Sequence, residues 1–253
     1  VRLRALAVAG VLLLLVGCGQ GSGGSTGADS ATLTVFAASS LRDTFTTIGE
    51  HFEATHPGTT VRFNFAGSSD LAQQIVQGAP ADVFAAASDT TMKTVADAGR
   101  TATAPALFAK NALRIAVAPG NPKGIASFAD LARPDLKVVV CAEGVPCGDA
   151  ELKIEAVTGI DVQPVSEEPD VKSTLSKVQS GDADAGLVYV TDVAAAMGTV
   201  EGVAFPEAEQ AVTDYPIAVV QDSGQAALAQ EFVALVTGPA GQTVLQEAGF
   251  LAP

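Results

Sequence analysis

Val35-Phe-Ala-Ala-Ser-Ser-Leu41 is the stretch whose reading decides the fold. Its apolar, β-prone start reads as a strand, and the Ser-Ser pair marks where that strand stops and a helix over 41–55 begins. The same junction recurs at Phe63-Asn-Phe-Ala-Gly-Ser-Ser69, ahead of a helix over 70–77. Ser40 and Ser68 are read as N-caps, placed where orphan backbone N–H groups and the positive end of a helix dipole meet. A small anion is held at such a place without any cationic side chain. One serine of this kind is ordinarily only a cap. Two in quick succession point to an anion site.

Outward from these junctions, short β-branched runs alternate with amphipathic stretches. Strands are expected at 33–37, 61–65, 83–86, 113–118, 137–141, 185–189 and 217–220. Helices are expected at 41–55, 70–77, 90–98, 149–157, 171–179, 225–237 and near 242–248. Gly78, Gly99, Gly159 and Gly181 fall at or just past helix ends, where a left-handed residue closes the last turn. Alternation of this kind implies an α/β protein with parallel strands. Each half holds too few elements for a long doubly wound sheet, so two lobes are expected. No internal repeat or coiled coil interrupts the pattern.

The N-terminal end reads as an address. Arg2 and Arg4 precede an apolar run, 5–16, that is too short to cross a bilayer. Leu15-Val16-Gly17-Cys18 resembles the lipobox of bacterial lipoproteins, with cleavage before Cys18 and acylation of that cysteine. Residues 1–17 are thus expected to be a signal peptide and 18–30, rich in Gly, Ser and Thr, a flexible tether. Acyl chains contribute about 0.8 kcal/mol per buried methylene, enough in combination to anchor the domain to the outer face of the cell membrane. Loss of 1–17 removes two arginines and no acids, so twelve basic against twenty-eight acidic residues leave −16, compared with −14 for the whole chain. That balance excludes a nucleic-acid partner or attraction to an anionic membrane surface. It does not exclude a small anion, because distant carboxylates are screened beyond about 8 Å at physiological salt.

Cys141 and Cys147 remain once Cys18 carries lipid, and in an oxidising compartment two cysteines six apart read first as a disulfide. The alternatives are poorer: a metal pair lacks further ligands nearby, and a redox pair would favour C-x-x-C. Enzyme chemistry is short of parts. His51 and His56, the sole histidines, end one expected helix beside Pro57 and are read as solvent-facing. No G-x-S-x-G surrounds Ser40 or Ser68, and no phosphate-cradling loop follows a strand. Glu167/Glu168 and Asp182/Asp184 read as solvated turn acids.

Several ordered motifs carry a resemblance. Leu33-Thr-Val-Phe-Ala-Ala-Ser-Ser-Leu41, Phe65-Ala-Gly-Ser-Ser69, Leu71-Ala-Gln-Gln-Ile75, Gly78-Ala-Pro-Ala-Asp-Val-Phe84, Val145-Pro-Cys-Gly148, Gly186-Leu-Val-Tyr189 and Asp214-Tyr-Pro-Ile-Ala-Val219 together resemble the periplasmic molybdate-binding proteins, the substrate-binding components of molybdate ABC transporters. The resemblance implies a type II periplasmic-binding-protein fold, with two α/β lobes joined by two crossing strands and the ligand in the cleft between them. Lobe one would comprise 31–112 and 217–253, and lobe two 113–216. The ligand would be molybdate or tungstate, with no cofactor and no catalysis, in a monomer that delivers to a permease. By motif, its donors would be Ser40 and Ser68 in lobe one, then Cys147 and Val171 through backbone N–H and Tyr189 through its phenol in lobe two. Ser39 stands where the family usually has alanine. A same-fold receptor for sulfate is the runner-up, and a serine-dependent hydrolase at Ser68 is a remote third.

Overall fold

The computed structural model describes residues 30–253, so the expected signal, tether and acylated Cys18 lie outside the described residues. Strand β1 (Ala31–Ala38) pairs in parallel with β2 (Thr59–Ala66) and with β3 (Val83–Ala85). The returning strand β10 (Thr213–Val219) lies antiparallel between β3 and β4 (Ala106–Asn111), completing a five-stranded sheet ordered β2-β1-β3-β10-β4. The second sheet, also five-stranded, is ordered β7-β6-β8-β5-β9. Its members are β5 (Leu113–Val117), β6 (Val138–Cys141), β7 (Ser166–Glu168), β8 (Ala185–Tyr189) and β9 (Glu201–Val203). Most central strands are continuous apolar runs because helices cover both faces.

The first lobe's helices are α1 (Arg42–Thr55), α2 (Ser68–Val76), α3 (Asp89–Asp97), α7 (Ala226–Thr237) and α8 (Pro239–Glu247). The second carries α4 (Pro146–Thr158), α5 (Val171–Gln179) and α6 (Val190–Ala195). Phe45, Phe52, Phe108 and Phe232 are fully buried in the first lobe, with Phe45 touching three neighbouring rings at 5.7–6.3 Å. Ile115, Val138, Ile154, Leu175 and Leu187 anchor a separate core in the second. Separate cores in the two lobes, with the first lobe's sheet packed by a cluster on each face, explain how the halves stay distinct.

The two crossings lie side by side. Ala112 alone separates β4 from β5, and Thr213 pairs with Asn111 as β10 re-enters the first sheet. The return therefore comes at Thr213 and not at Ile217, because pairing with β4 extends β10 by four residues on its N-terminal side. His56 also departs from expectation. It is half-buried, stacked on Phe52 with ring centroids 3.9 Å apart and 2.7 Å from Glu231 through Nε2. Glu167 and Glu168 belong to β7, an edge strand, rather than to a turn.

Candidate functional site

Five chain segments begin a helix at one small cavity between the lobes, and the start of each is set by local sequence. β1 runs into a 3-10 turn, Ser39–Leu41, that leads directly into α1. β2 ends at Gly67, and α2 starts at Ser68. Pro146 opens α4, where a residue without an N–H loses nothing. Asp170 caps α5, and β8 passes straight into α6 at Tyr189. The cavity is lined by Ser39, Ser40, Ser68, Cys147, Val171 and Tyr189, among others, with no lysine, arginine or histidine. Only about 10 Å³ is open to the centre of a water-sized sphere, room for about one such centre.

Ser40 and Ser68 are not N-caps. The cap positions are Ala38 and Gly67, neither of which offers a side-chain acceptor, and the serines sit one or two residues further in. Val145, the cap of α4, has no acceptor either. Three helix starts around the cavity are therefore left with unanswered N–H groups, the donors that an anion takes up. At α5 the Asp170 carboxylate accepts from Lys172 and Ser173 N–H, and does not take the N–H of Val171. Asp170 also lines the cavity, and its oxygens accept from these groups and from the Ser173 hydroxyl.

The hydroxyls are engaged from behind. Ala87 N–H donates to Ser68 Oγ at 3.0 Å, which uses a lone pair of that oxygen and leaves its proton to give. Ser40 Oγ shares a hydrogen bond of 2.9 Å with the Tyr215 phenol. Tyr189 is 1% exposed, and its hydroxyl has no partner among the described residues. Burial pushes its phenol above the usual tyrosine value, so it is a neutral donor. An unpaired buried hydroxyl costs about 1–3 kcal/mol, and a bound oxyanion would relieve that cost. Ser39 lines both this cavity and an adjoining opening with Arg42 and Lys172.

Cys141 and Cys147 are joined in a disulfide, which ties the end of β6 to the first turn of α4. Gly148 follows, and a Cβ there would clash with the carbonyl oxygen of Ala142, so the tight loop requires glycine. The lobes are shut on each other. A Cβ at Gly67 would clash with the carbonyl oxygen of Pro169 across the cleft, and Ser69 Oγ donates to the Gly144 carbonyl. Lys172 Nζ lies 3.0 Å from Asp43 of α1 and 3.2 Å from Asp192 of α6. Burial works against the Lys172 ammonium, but Asp192 and Asp43 outweigh it and hold its pKa above the usual lysine value. Burial pushes the Asp192 carboxyl up to about 6, against the pull of Lys172. Its Oδ2 accepts the N–H of Tyr189, linking this charge cluster to the cavity.

Sequence reasoning missed Tyr215, Lys172, Asp192 and the close approach at Gly67. The glycine had a local signal, since it precedes Ser-Ser where a larger residue would serve a helix start as well. Lys172 and Tyr215 act across long sequence separations that no spacing reveals.

Residues 33–251 match the family model described as bacterial extracellular solute-binding protein. The molybdate-binding protein of Mycobacterium tuberculosis is 51% identical over 243 residues, 94% of this chain and 93% of that protein. Among solved structures, the periplasmic molybdate-binding protein of Azotobacter vinelandii superposes with a TM-score of 0.76 at 21% identity, over 87% of this chain and 99% of that one. A sulfate-binding protein of Mycobacterium tuberculosis gives 0.79 at 18% identity, over 87% and 86%. Those two likenesses establish the fold alone, and they do so equally for two different oxyanions. By the family model and the 51% relative, the chain belongs to the bacterial extracellular solute-binding proteins.

Proposed function

We infer that this protein captures molybdate outside the cytoplasm and delivers it to the permease of an ABC importer. The observation that carries the reading is one small cavity between the lobes, lined by hydroxyls and helix starts and by no cationic side chain. In this reading the neutral donors are the hydroxyls of Ser40, Ser68 and Tyr189 and the N–H groups of Cys147 and Val171, all of which line it. Five charge-assisted hydrogen bonds at about 1.5–3 kcal/mol each bring about 8–15 kcal/mol, against about 12 kcal/mol for a nanomolar complex. Molybdate, tungstate and sulfate carry no proton near neutral pH and need donors only. Hydrogen phosphate also needs an acceptor, and a donor-only site leaves its proton unpaired. The 51% relative, itself a molybdate-binding protein, supports molybdate over sulfate. Tungstate, of the same charge and shape, is a second ligand in this reading. Acylation at Cys18 would hold a monomeric receptor at the membrane face where its permease lies.

Titration calorimetry with molybdate, tungstate, sulfate and phosphate tests the assignment. Heat with molybdate and tungstate but not with sulfate is the expected result. Heat with sulfate alone would make the protein a sulfate receptor, and silence with all four would remove the oxyanion reading.

A further inference from the structure

Behind Ser40, on the returning strand, Tyr215 is fully buried and does not line the cavity. It touches the site through the 2.9 Å hydrogen bond to Ser40 Oγ and through its packing against Tyr189. Its ring is held edge-on by Phe108, Tyr189 and Phe250, at centroid separations of 6.2, 6.0 and 5.4 Å. The β10–β4 ladder slips between Tyr215 and Pro216, and a proline has no N–H to keep that register. Irregularities of this kind recur next to binding sites.

A serine hydroxyl has one proton and two lone pairs. If Ser40 gives its proton to an oxyanion, the hydrogen bond with Tyr215 must run from the phenol to Ser40 Oγ. The remaining lone pair then points away from the ligand, because the proton occupies that direction. Ser68 is fixed in the same sense by Ala87 N–H, a donor that cannot reverse. Ser40 has no such backbone donor among its side-chain partners. Without the phenol its oxygen is free to turn a lone pair into the cavity, where hydrogen phosphate needs one.

We propose that Tyr215 is a positioning residue for anion selectivity: by donating to Ser40 Oγ it fixes the Ser40 hydroxyl as a donor and denies a protonated oxyanion its acceptor. The proposal rests on the oxyanion-receptor reading above. Burial and the neighbouring Tyr189 hold the Tyr215 phenol well above its usual value, so its proton is always present to give. A donating phenol also polarises the Ser40 hydroxyl, strengthening its bond to the anion.

The test is calorimetry on wild type and Tyr215→Phe with molybdate, sulfate and inorganic phosphate at a pH where phosphate is the hydrogen phosphate dianion. The variant keeps the ring and its packing. Its molybdate-to-phosphate affinity ratio should fall about tenfold or more, while its molybdate-to-sulfate ratio changes less than about twofold, since neither of those ions carries a proton. An unchanged molybdate-to-phosphate ratio overturns the proposal, and so does an equal fall in both ratios, the mark of a loosened site. Should the variant unfold, neutron diffraction of the deuterated wild-type molybdate complex decides. The shared deuteron should lie on Tyr215 Oη, and finding it on Ser40 Oγ overturns the assignment. Wild-type protein that binds molybdate separates failure of this proposal from failure of the receptor reading itself.

Discussion

Tyr189 separates binding from folding at a single atom. Its hydroxyl is buried with no well-formed hydrogen bond among the described residues, so removing it should not harm the ligand-free protein. Tyr189→Phe should leave the melting temperature of ligand-free protein unchanged or higher, while weakening molybdate by about 1.5–3 kcal/mol in calorimetry. A lower melting temperature without loss of affinity would show that the phenol serves the core. Ser40→Ala and Ser68→Ala should cost about the same in affinity, because each leaves an anionic oxygen short of a donor. Ser39→Ala should cost little. A large loss at Ser39 with none at Ser40 would exchange the roles of the pair.

At the scale of elements, α4 carries three things at once: the proposed Cys147 donor, the disulfide and a buried carboxyl. Glu151 is almost fully buried, and its carboxyl is pushed up to about 8, first by burial and then by Glu155, Glu167 and Asp161. A carboxyl raised on folding favours the folded state in its protonated form. That contribution is full below the ordinary value of 4.5 and is lost as pH rises through about 8. Glu151→Gln should therefore raise the melting temperature by several degrees near pH 9 and change it little near pH 4, as thermal scans across pH would show. The disulfide closes a short loop, worth about 2–3 kcal/mol, and its reduction should lower both stability and molybdate affinity by loosening the Cys147 N–H. The long elements were legible in the sequence: α5 and β8 occupy the residues their periodicity indicates. β4 was not, because Ala-Leu-Phe-Ala-Lys-Asn has weak strand preference and exists through pairing with β10. Three-residue β7 and β9 leave too little pattern to read, and α6 follows β8 with no loop to announce it. For the site, strand ends and helix starts pointed to the rim. They did not show that the caps are Ala38 and Gly67, since a serine signals a cap whether or not it occupies one.

On the scale of the whole molecule, the two lobes meet through contacts that the ligand does not make. Lys172 bridges Asp43 and Asp192, and Gly67 lies flush against Pro169. Gly67→Val should act as a wedge that keeps the lobes apart. Small-angle scattering at saturating molybdate should then show less contraction than in wild type, with affinity at least about tenfold weaker. Equal contraction would mean that the backbone yields at this point. The crossings add a mechanical constraint. Asn111 and Thr213 stand directly opposite each other, tied by a hydrogen bond from the Thr213 hydroxyl to the Asn111 carbonyl. Two strands fastened side by side act like a door hung on one narrow pin: they swing readily about one line and resist sliding and twisting. On the receptor reading, every donor on the moving side would then leave the ion together. On that reading, a captive ion would not leak away bond by bond; it would depart at the pace at which the door swings, and a permease docked against the shut lobes would set that pace.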